Sequence, residues 1–432
     1  MARRLDTRDP GFQAAFAEAL SEKRETAADV GEIVANIIAD VRRRGDAALL
    51  EYTERFDRLA LDASNLRIGS DEIAAARAET SPELLAALDT ARERISAYHR
   101  HQMPEDLAYR DEAGVELGAR WRPLSAVGLY VPGGTAAYPS SVLMNALPAM
   151  VAGVERLAMV TPTPDGEINP LVLAAAAASG IGEIYRVGGA QAVAALTYGT
   201  ESIAPVDKVV GPGNAYVAAA KRQVFGTVGI DLIAGPSEVL VVADADNDPH
   251  WIALDLLAQA EHDTASQSIL MTDDAAFADR VEAAVAEELA ALPRADIAGA
   301  SWRDHGLVIL VPDLAETPPL IDRVAPEHLE LAVADPDALA AEVQHAGAIF
   351  LGRYTPEAVS DYVAGPNHVL PTARSARFSS GLSVLDFIKR SSIVRCDAAS
   401  VAALAPAARA LAEAEGLDAH ARSIAVRLAE PR

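Results

Sequence analysis

Two polar clusters in the sequence combine residue types that can bind a metal ion or transfer protons. Gln259 and His262 lie three residues apart in the segment LLAQAEHD. On a helix this spacing places both side chains on one face, so they can converge on a single ion. Glu327 and His328 are adjacent, and they offer a carboxylate and an imidazole for proton transfer just before an apolar segment.

Each cluster also has a purely structural explanation. A histidine on a helix packed against the core is more often a hydrogen-bonded core residue than a metal ligand. Neighbouring residues in a strand face opposite sides, so Glu327 and His328 can serve one site only if a turn precedes the strand. Asp361 and His420 are further candidate ligands. The residues alone do not show that folding brings these two to the first cluster.

Three strand-to-helix junctions are rich in glycine. Glycine lets backbone amides approach a ligand closely, and the N-terminus of the following helix favours an anion. No junction completes the G-x-G-x-x-G fingerprint, since Tyr216 stands where the third glycine would follow Gly211 and Gly213. A tight turn explains any one of them alone, whereas their clustering favours a phosphate-bearing ligand. The junctions are Tyr130-Val131-Pro132-Gly133-Gly134, Gly188-Gly189-Ala190-Gln191 and Gly211-Pro212-Gly213-Asn214.

The elements that position these residues follow from the hydrophobic periodicity. Residues 1–100 contain amphipathic helical segments. From about residue 125, short β-branched segments alternate with helical ones, and a second such series begins near residue 238. This alternation predicts an α/β fold with mostly parallel sheets in two Rossmann-like units. We divide the chain into an N-terminal helical segment (1–25), a first α/β domain (26–124 with 238–380), a second (125–237) and a C-terminal helical tail (381–432).

Composition excludes several classes of function. The net charge of −25 over 432 residues argues against a nucleic-acid partner, because such binding needs clustered Lys and Arg. No apolar segment is long enough to span a membrane, and the N-terminus does not resemble a secretory signal. The single cysteine, Cys396, fits a reducing compartment, so we expect a cytoplasmic protein. It follows a short apolar segment and is predicted to be an inert residue at a strand end.

A series of segments, in the family's order, resembles the histidinol dehydrogenase family. They run from about residue 125 to 385, the C-terminal AEAEGLDAHARS also fits, and the first hundred residues match only loosely. The resemblance implies a zinc- and NAD-dependent enzyme that oxidises L-histidinol through L-histidinal to L-histidine, the last steps of histidine biosynthesis. The segments are VGLYVPGGTAAYPSSVLMNALPA, VGGAQAVAALTYGT, DKVVGPGNAYVAAAKR, IDLIAGPSEVLVVAD, DLLAQAEHD, APEHLEL, AGAIFLG, GPNHVLPT and FSSGLSV.

The resemblance also implies one zinc ion per subunit, with Gln259, His262, Asp361 and His420 as its ligands. Nitrogen and oxygen donors without thiolate suit zinc, although manganese or cobalt could replace it. Members of the family are homodimers in which the tail of one subunit reaches the site of the other, so His420 is expected to act in trans. Zinc would then mainly orient the substrate.

Residue roles carry over by the same resemblance. His328 matches the family's base for alcohol oxidation, and Glu327 matches the residue that activates water for aldehyde hydration. Substrate contacts are implied for His328 and the four zinc ligands, and NAD contacts for three residues of the glycine-rich junctions in domain 125–237. The other implied substrate contacts are Ser237, His368 and Glu415, and the NAD contacts are Tyr130, Gln191 and Asn214.

Other functions are compatible with parts of this pattern. A paralogous zinc and NAD dehydrogenase could act on another small polar alcohol, such as a sulfonated diol, but the acidic Glu415 favours a cationic substrate. A zinc hydrolase would combine zinc with a nearby glutamate, yet the glycine-rich junctions and the full set of protein ligands disfavour it. An inactive binding protein would lack Glu327 or His328, and both are present.

Overall fold

The structure is a computed structural model that describes residues 2–21, 30–133, 138–233 and 235–429. Its strands are β1 (Arg3–Asp6), β2 (Leu107–Arg110), β3 (Glu116–Pro123), β4 (Ala126–Tyr130), β5 (Arg156–Val160), β6 (Glu183–Tyr185), β7 (Lys208–Val210), β8 (Gly229–Ile230), β9 (Glu238–Ala243), β10 (Gln267–Thr272), β11 (Leu307–Leu310), β12 (His328–Ala332), β13 (Ala348–Leu351) and β14 (Ile388–Arg395).

The helices alternate with the strands through most of the chain. In chain order they are α1 (Phe12–Ser21), α2 (Gly31–Arg44), α3 (Asp46–Asp57), α4 (Ser70–Glu79), α5 (Pro82–Arg100), α6 (Pro139–Ala152), α7 (Pro170–Ala178), α8 (Gly189–Tyr198), α9 (Ala215–Val224), α10 (Pro249–Ala260), α11 (Ala275–Leu289), α12 (Ala295–His305), α13 (Pro318–Val324), α14 (Pro336–Glu342), α15 (Glu357–Tyr362), α16 (Ala398–Ala414) and α17 (Asp418–Ala425). In the described part of the chain, none of them is long and apolar enough to cross a membrane.

Two parallel sheets dominate the fold, and five strands follow the same order in each, with β1 added at one edge of the second sheet. The five-stranded sheet runs β6-β5-β4-β7-β8, and the six-stranded sheet runs β1-β11-β10-β9-β12-β13. Each order starts from a central strand, winds to one side and then reverses, with reversals between β4 and β7 and between β9 and β12. This arrangement is doubly wound, and it confirms the predicted α/β class with two Rossmann-like units.

Two segments predicted to be helical contain strands. Within 1–25, β1 pairs in parallel with β11, and only α1 of this segment is helical. Within 381–432, β14 pairs antiparallel with β3 before the two tail helices begin. Both strands depend on backbone hydrogen bonds to a distant partner strand, and the local sequence pattern does not reveal that partner.

The helices of residues 31–100 pack on the five-stranded sheet. Val34 and Val41 of α2 join the core beneath α8 and α9, whereas Leu88 and Ile95 of α5 pack against α6. These helices therefore do not cover the six-stranded sheet, with which our division groups residues 26–124. Periodicity identifies an apolar helix face, but it does not identify the surface that the face covers.

The carboxyl edge of the five-stranded sheet lies beside the amino edge of the six-stranded sheet. Residues 231–237 alone connect the end of β8 to the start of β9. The Asn367 side-chain amide donates to the carbonyl oxygen of Met144 in α6 at 2.6 Å, which ties the loop after α15 to the first sheet. A ligand bound between these two edges would touch both units.

Candidate active site

His328 opens β12, and the sheet itself fixes its imidazole. Its Nδ1 lies 3.0 Å from the carbonyl oxygen of Glu238, at the start of the neighbouring β9. A carbonyl only accepts, so Nδ1 carries the hydrogen and Nε2 is left with a lone pair. Burial lowers the pKa of His328 to about 3 and keeps the ring neutral. Nε2 is buried and has no hydrogen-bond partner among the described residues.

Glu327 lies one residue before the strand, as a shared site for the two side chains requires. Its Oε2 accepts a hydrogen bond from the backbone N–H of Glu238 at 3.0 Å and lies 3.8 Å from the His328 Nδ1. Ser237, also predicted for the site, directly precedes Glu238 at the start of β9. Burial raises the pKa of Glu327 well above its usual value. The two predicted proton-transfer groups therefore do lie together.

Glu357 belongs to the same cluster, although the sequence analysis does not identify it. Its Oε1 lies 3.5 Å from the His328 Nδ1, and its backbone N–H donates to the Glu330 carboxylate at 2.6 Å. Ligand atoms of His328, Glu357 and Asp361 lie within 4.8 Å of one another. The detectable signal was the four-residue spacing of Glu357 and Asp361, which places both on one face of α15. Burial, followed by the Asp361 charge, raises the pKa of Glu357 well above its usual value.

Asp361 and His368 are joined through a backbone contact. The Nδ1 of His368 donates to the Asp361 carbonyl oxygen at 3.1 Å, and its Nε2 lies 3.5 Å from the Ser141 hydroxyl oxygen at the start of α6. Burial raises the pKa of Asp361 to about 7 and lowers that of His368 to about 4. His368 therefore bridges the two sheet edges as a neutral group.

Gln259 and His262 lie at the end of α10, near the same cluster. His262 is two residues beyond the helix, but its N–H donates to the Gln259 carbonyl oxygen at 3.2 Å, so the turn continues. The Gln259 Nε2 lies 3.4 Å from the His262 Nδ1. Positive charge on His262 would lower the pKa of both His328 and His368, which places it close to them.

The donor set of this region suits a zinc ion. Gln259 is fully buried, and its Oε1 has no hydrogen-bond partner among the described residues, as expected for an oxygen meant for a ligand. Burial lowers the pKa of His262, although the residue as a whole is exposed to solvent, and a neutral imidazole is the form that binds metals. With the Asp361 carboxylate, the region offers one nitrogen and two oxygen donors.

His420 and Glu415 lie elsewhere in the single chain. Glu415 follows α16 and His420 belongs to α17, and both are exposed. In the part of the chain that the structure describes, the side chains of these two residues make no hydrogen bond or ion pair with the cluster around His328. Within one chain, Gln259 and His262 lie at the end of α10, which contacts the helix α15 that carries Asp361, whereas His420 lies apart from them.

The three residues implied for NAD lie at the carboxyl edge of the five-stranded sheet. The Tyr130 hydroxyl, at the end of β4, accepts a hydrogen bond from the Gly189 N–H at 3.0 Å. Burial raises the pKa of Tyr130 to about 12. Gln191 is buried in the first turn of α8. The Asn214 Oδ1 caps α9, and its side chain is exposed.

The glycines of these junctions let the loops pack on one another. A Cβ on Gly133 would lie 2.5 Å from the Pro162 carbonyl oxygen, and one on Gly188 would lie 2.4 Å from the Pro162 Cβ. A Cβ on Gly211, which has a φ of +113°, would lie 2.1 Å from the Tyr130 carbonyl oxygen. Loop packing therefore requires these glycines before any ligand is considered. Gly134 of the first junction lies outside the described residues.

Two doubly wound sheets, three glycine-rich junctions and a buried imidazole with a free Nε2 are together typical of α/β dehydrogenases. Residues 20–428 match the sequence model of the family described as "Histidinol dehydrogenase". The histidinol dehydrogenase of Rhodospirillum rubrum is 67% identical over 429 residues, and that of Rhizobium meliloti 64% over 428, each covering 99% of both chains. The chain therefore belongs to the histidinol dehydrogenase family.

A solved structure agrees with this assignment. The crystal structure of histidinol dehydrogenase from Elizabethkingia anophelis is 36% identical, covers 99% of this chain and 98% of its own, and has a TM-score of 0.94. The family resemblance expected from the sequence segments is confirmed. The alternative of a paralogous dehydrogenase for another polar alcohol finds no support among these relatives.

Proposed function

We propose that the protein oxidises L-histidinol in two steps, through L-histidinal to L-histidine, with NAD as the hydride acceptor in both. These are the last steps of histidine biosynthesis. The observation that carries the proposal is the free Nε2 of His328, buried beside Glu327. The single cysteine fits a reducing compartment, so we also place the reaction in the cytoplasm.

The first step needs a base for the substrate hydroxyl. As the hydroxyl proton moves to the His328 Nε2, the substrate carbon loses a hydride to NAD and becomes an aldehyde. The Glu238 carbonyl holds the Nδ1 hydrogen throughout, so the ring keeps one orientation and one tautomer. The Glu357 carboxyl group, with its Oε1 3.5 Å from Nδ1, lies beside the imidazolium that forms.

The second step needs water, because the aldehyde carbon must first gain a hydroxyl group before it can lose a hydride. Glu327 takes a proton from water as the water oxygen bonds to the carbonyl carbon, while the His328 imidazolium returns its proton to the carbonyl oxygen. The resulting hydrate then gives a hydroxyl proton to His328 and a second hydride to NAD, which leaves the carboxylic acid. The cationic substrate favours the carboxylate form of Glu327, against the effect of burial. Cys396, the only cysteine, is exposed beyond β14, so a thiohemiacetal at this residue is not the route.

Gln259, His262, Asp361 and a His420 from a second subunit would hold one zinc ion per subunit. When bound, the ion supplies a point that gathers the imidazole and amino nitrogens of histidinol. Ser237 and His368 would contact the substrate, together with Glu415, whose carboxylate would pair with its ammonium group. The carboxyl groups around His328 favour a cationic substrate over a sulfonated one.

NAD would bind at the carboxyl edge of the five-stranded sheet, where its order reverses. Tyr130, Gln191 and Asn214 come from three different junctions of that edge. The amino edge of the six-stranded sheet, with His328, lies directly beyond it. A nicotinamide ring between the two edges would therefore face the substrate carbon.

A homodimer with exchanged tails would complete the site. Leu411 of α16 and Val426, directly after α17, are each 65% exposed. Tyr354, shortly before α15, and Tyr362, the last residue of α15, are also exposed, and Tyr362 adjoins Asp361. Two uncovered apolar surfaces on one chain support mutual covering by a second copy, which would bring His420 to Asp361.

The number of NADH molecules formed per molecule of L-histidinol tests the proposal. Zinc-loaded protein given excess NAD should form two NADH per L-histidinol, and a chelator should abolish the reaction. Formation of one NADH with release of free aldehyde would refute the second step alone. No NADH from histidinol with zinc present would refute the function.

A further inference from the structure

A buried ion pair lies behind the third glycine-rich junction. Lys221, in α9, contacts Asp231, which directly follows β8. The two side chains are only 3% and 2% exposed. Neither residue belongs to the zinc cluster or to the residues implied for NAD.

The pair holds both polar backbone groups of one glycine. The Lys221 Nζ donates to the Gly211 carbonyl oxygen at 2.9 Å, and the Gly211 N–H donates to the Asp231 Oδ2 at 2.8 Å. Gly211 has a positive φ and packs directly on the Tyr130 carbonyl. The residue is therefore fixed by two charged hydrogen bonds on one side and by β4 on the other.

Stability alone is a weak explanation for this arrangement. Removing two charges from water is costly, and replacement of a buried ion pair by apolar residues is often neutral or stabilising. What the pair does provide is a defined geometry, because each charge is directed at a different atom of Gly211. That glycine begins the junction that ends at Asn214, the N-cap of α9.

We propose that Lys221 and Asp231 are positioning residues for NAD. They set the path of residues 211–214, and through it the place of the Asn214 side chain and of the α9 N-terminus. Both act from behind the junction, since their polar atoms are already engaged with Gly211 and with each other. The inference rests on the proposed use of NAD.

Three variants separate this role from a general effect on folding. Lys221→Met removes the donor to the Gly211 carbonyl and leaves the buried Asp231 carboxylate without its cation. Asp231→Asn weakens the contact with the Gly211 N–H. The double variant Lys221→Gln with Asp231→Asn is neutral but keeps one donor for the Gly211 carbonyl and one acceptor for its N–H. Lys208→Met is the matched control. Lys208, in β7 of the five-stranded sheet, also forms an ion pair, with Asp386 at 3.0 Å, but it does not contact Gly211.

The measurements are NAD affinity by calorimetry, KM for NAD and for histidinol, and zinc content. Each single variant should weaken NAD binding roughly ten-fold, the effect of one lost charged hydrogen bond. Zinc content and the KM for histidinol should not change. The double variant should recover most of the affinity, and Lys208→Met should match the unmodified protein.

Three results would overturn the proposal. Single variants that bind NAD normally would show that the pair does not position the junction. An equal loss of zinc, histidinol and NAD binding, with no recovery in the double variant, would show a purely structural pair. Unmodified, zinc-loaded protein that binds no NAD would refute the proposed function as well, whereas the first two results leave it intact.

Discussion

The His328 Nδ1 and the Glu238 carbonyl oxygen are 3.0 Å apart, and this contact is made between two neighbouring parallel strands. The orientation of the proposed base is thus set by strand pairing, not by a flexible side chain. A carbonyl partner also selects the tautomer with hydrogen on Nδ1. The sheet that forms the core of one unit therefore prepares the base of the reaction.

Replacement of His328 by asparagine should remove the base but leave the binding sites. We expect kcat for both oxidations to fall by about 10²–10⁴-fold, the usual contribution of general base catalysis. Zinc content and NAD affinity should remain, because no zinc or NAD ligand is lost. Steady-state kinetics with histidinol and with histidinal measures the effect. His101→Asn, at an exposed histidine, is the control. A loss of kcat below ten-fold in His328→Asn would mean that another group takes the proton.

Replacement of Glu327 by glutamine should separate the two oxidations. The amide oxygen can still accept from the Glu238 N–H, so the local structure should persist. Hydration of the aldehyde loses its base, and we expect a loss of about 10²-fold or more in the second step alone. A single-turnover experiment should give close to one NADH per histidinol instead of two. Glu316→Gln, at an exposed residue, should give two, and an equal loss in both steps would contradict the assigned role.

Replacement of Tyr130 by phenylalanine should weaken NAD binding. The partly buried Gly189 N–H loses its acceptor. A buried donor left unsatisfied costs about 1–3 kcal/mol, or roughly 5- to 150-fold in affinity if the junction relaxes when NAD is absent. The KM for NAD measures this change.

The pH dependence of the same variant tests the state of the hydroxyl. Burial raises the pKa of Tyr130 to about 12, so raising the pH from 7.5 to 10 should not ionise it. The ratio of KM for NAD between the variant and the unmodified protein should therefore stay constant over this range. A ratio that changes above pH 9 would mean that the hydroxyl ionises there.

Much of the fold could be predicted from local patterns. Strands such as β9 and β11 are buried on both faces and appear as short β-branched segments, and the helices between them imply a parallel sheet. The surfaces that helices cover, and strands that exist only through a distant partner, depend on long-range packing. For this reason the packing of α2 and α5, the strand β1 and the pairing of β14 with β3 could not be inferred, although Cys396 was predicted at a strand end.

The site was predictable to the extent that its residues are neighbours in sequence. Glu327 and His328 are adjacent, and Gln259 and His262 share a helix face, so both pairs are visible. Glu357 begins the separate helix α15, and its four-residue spacing from Asp361 marks a shared helix face, but only folding shows that this face reaches His328. Lys221 and Asp231 are also distant enough in sequence that only folding reveals their ion pair.

Complementation between two variants, neither of which completes the oxidation to histidine, should reveal whether the tail is exchanged, with histidine formation as the measured activity. In a heterodimer of Glu327→Gln and His420→Ala subunits, tail exchange gives the subunit with intact Glu327 an intact His420 from its partner. One site of the two is then complete, so we expect about half of the unmodified activity per dimer, since each subunit of a symmetric dimer carries one site. If His420 acts within its own chain, both sites stay defective.

Two affinity tags purify the heterodimer, and each variant homodimer is the control. An inactive heterodimer of verified composition would contradict tail exchange. In that case the exposed faces of Leu411 and Val426 would be covered in some other way.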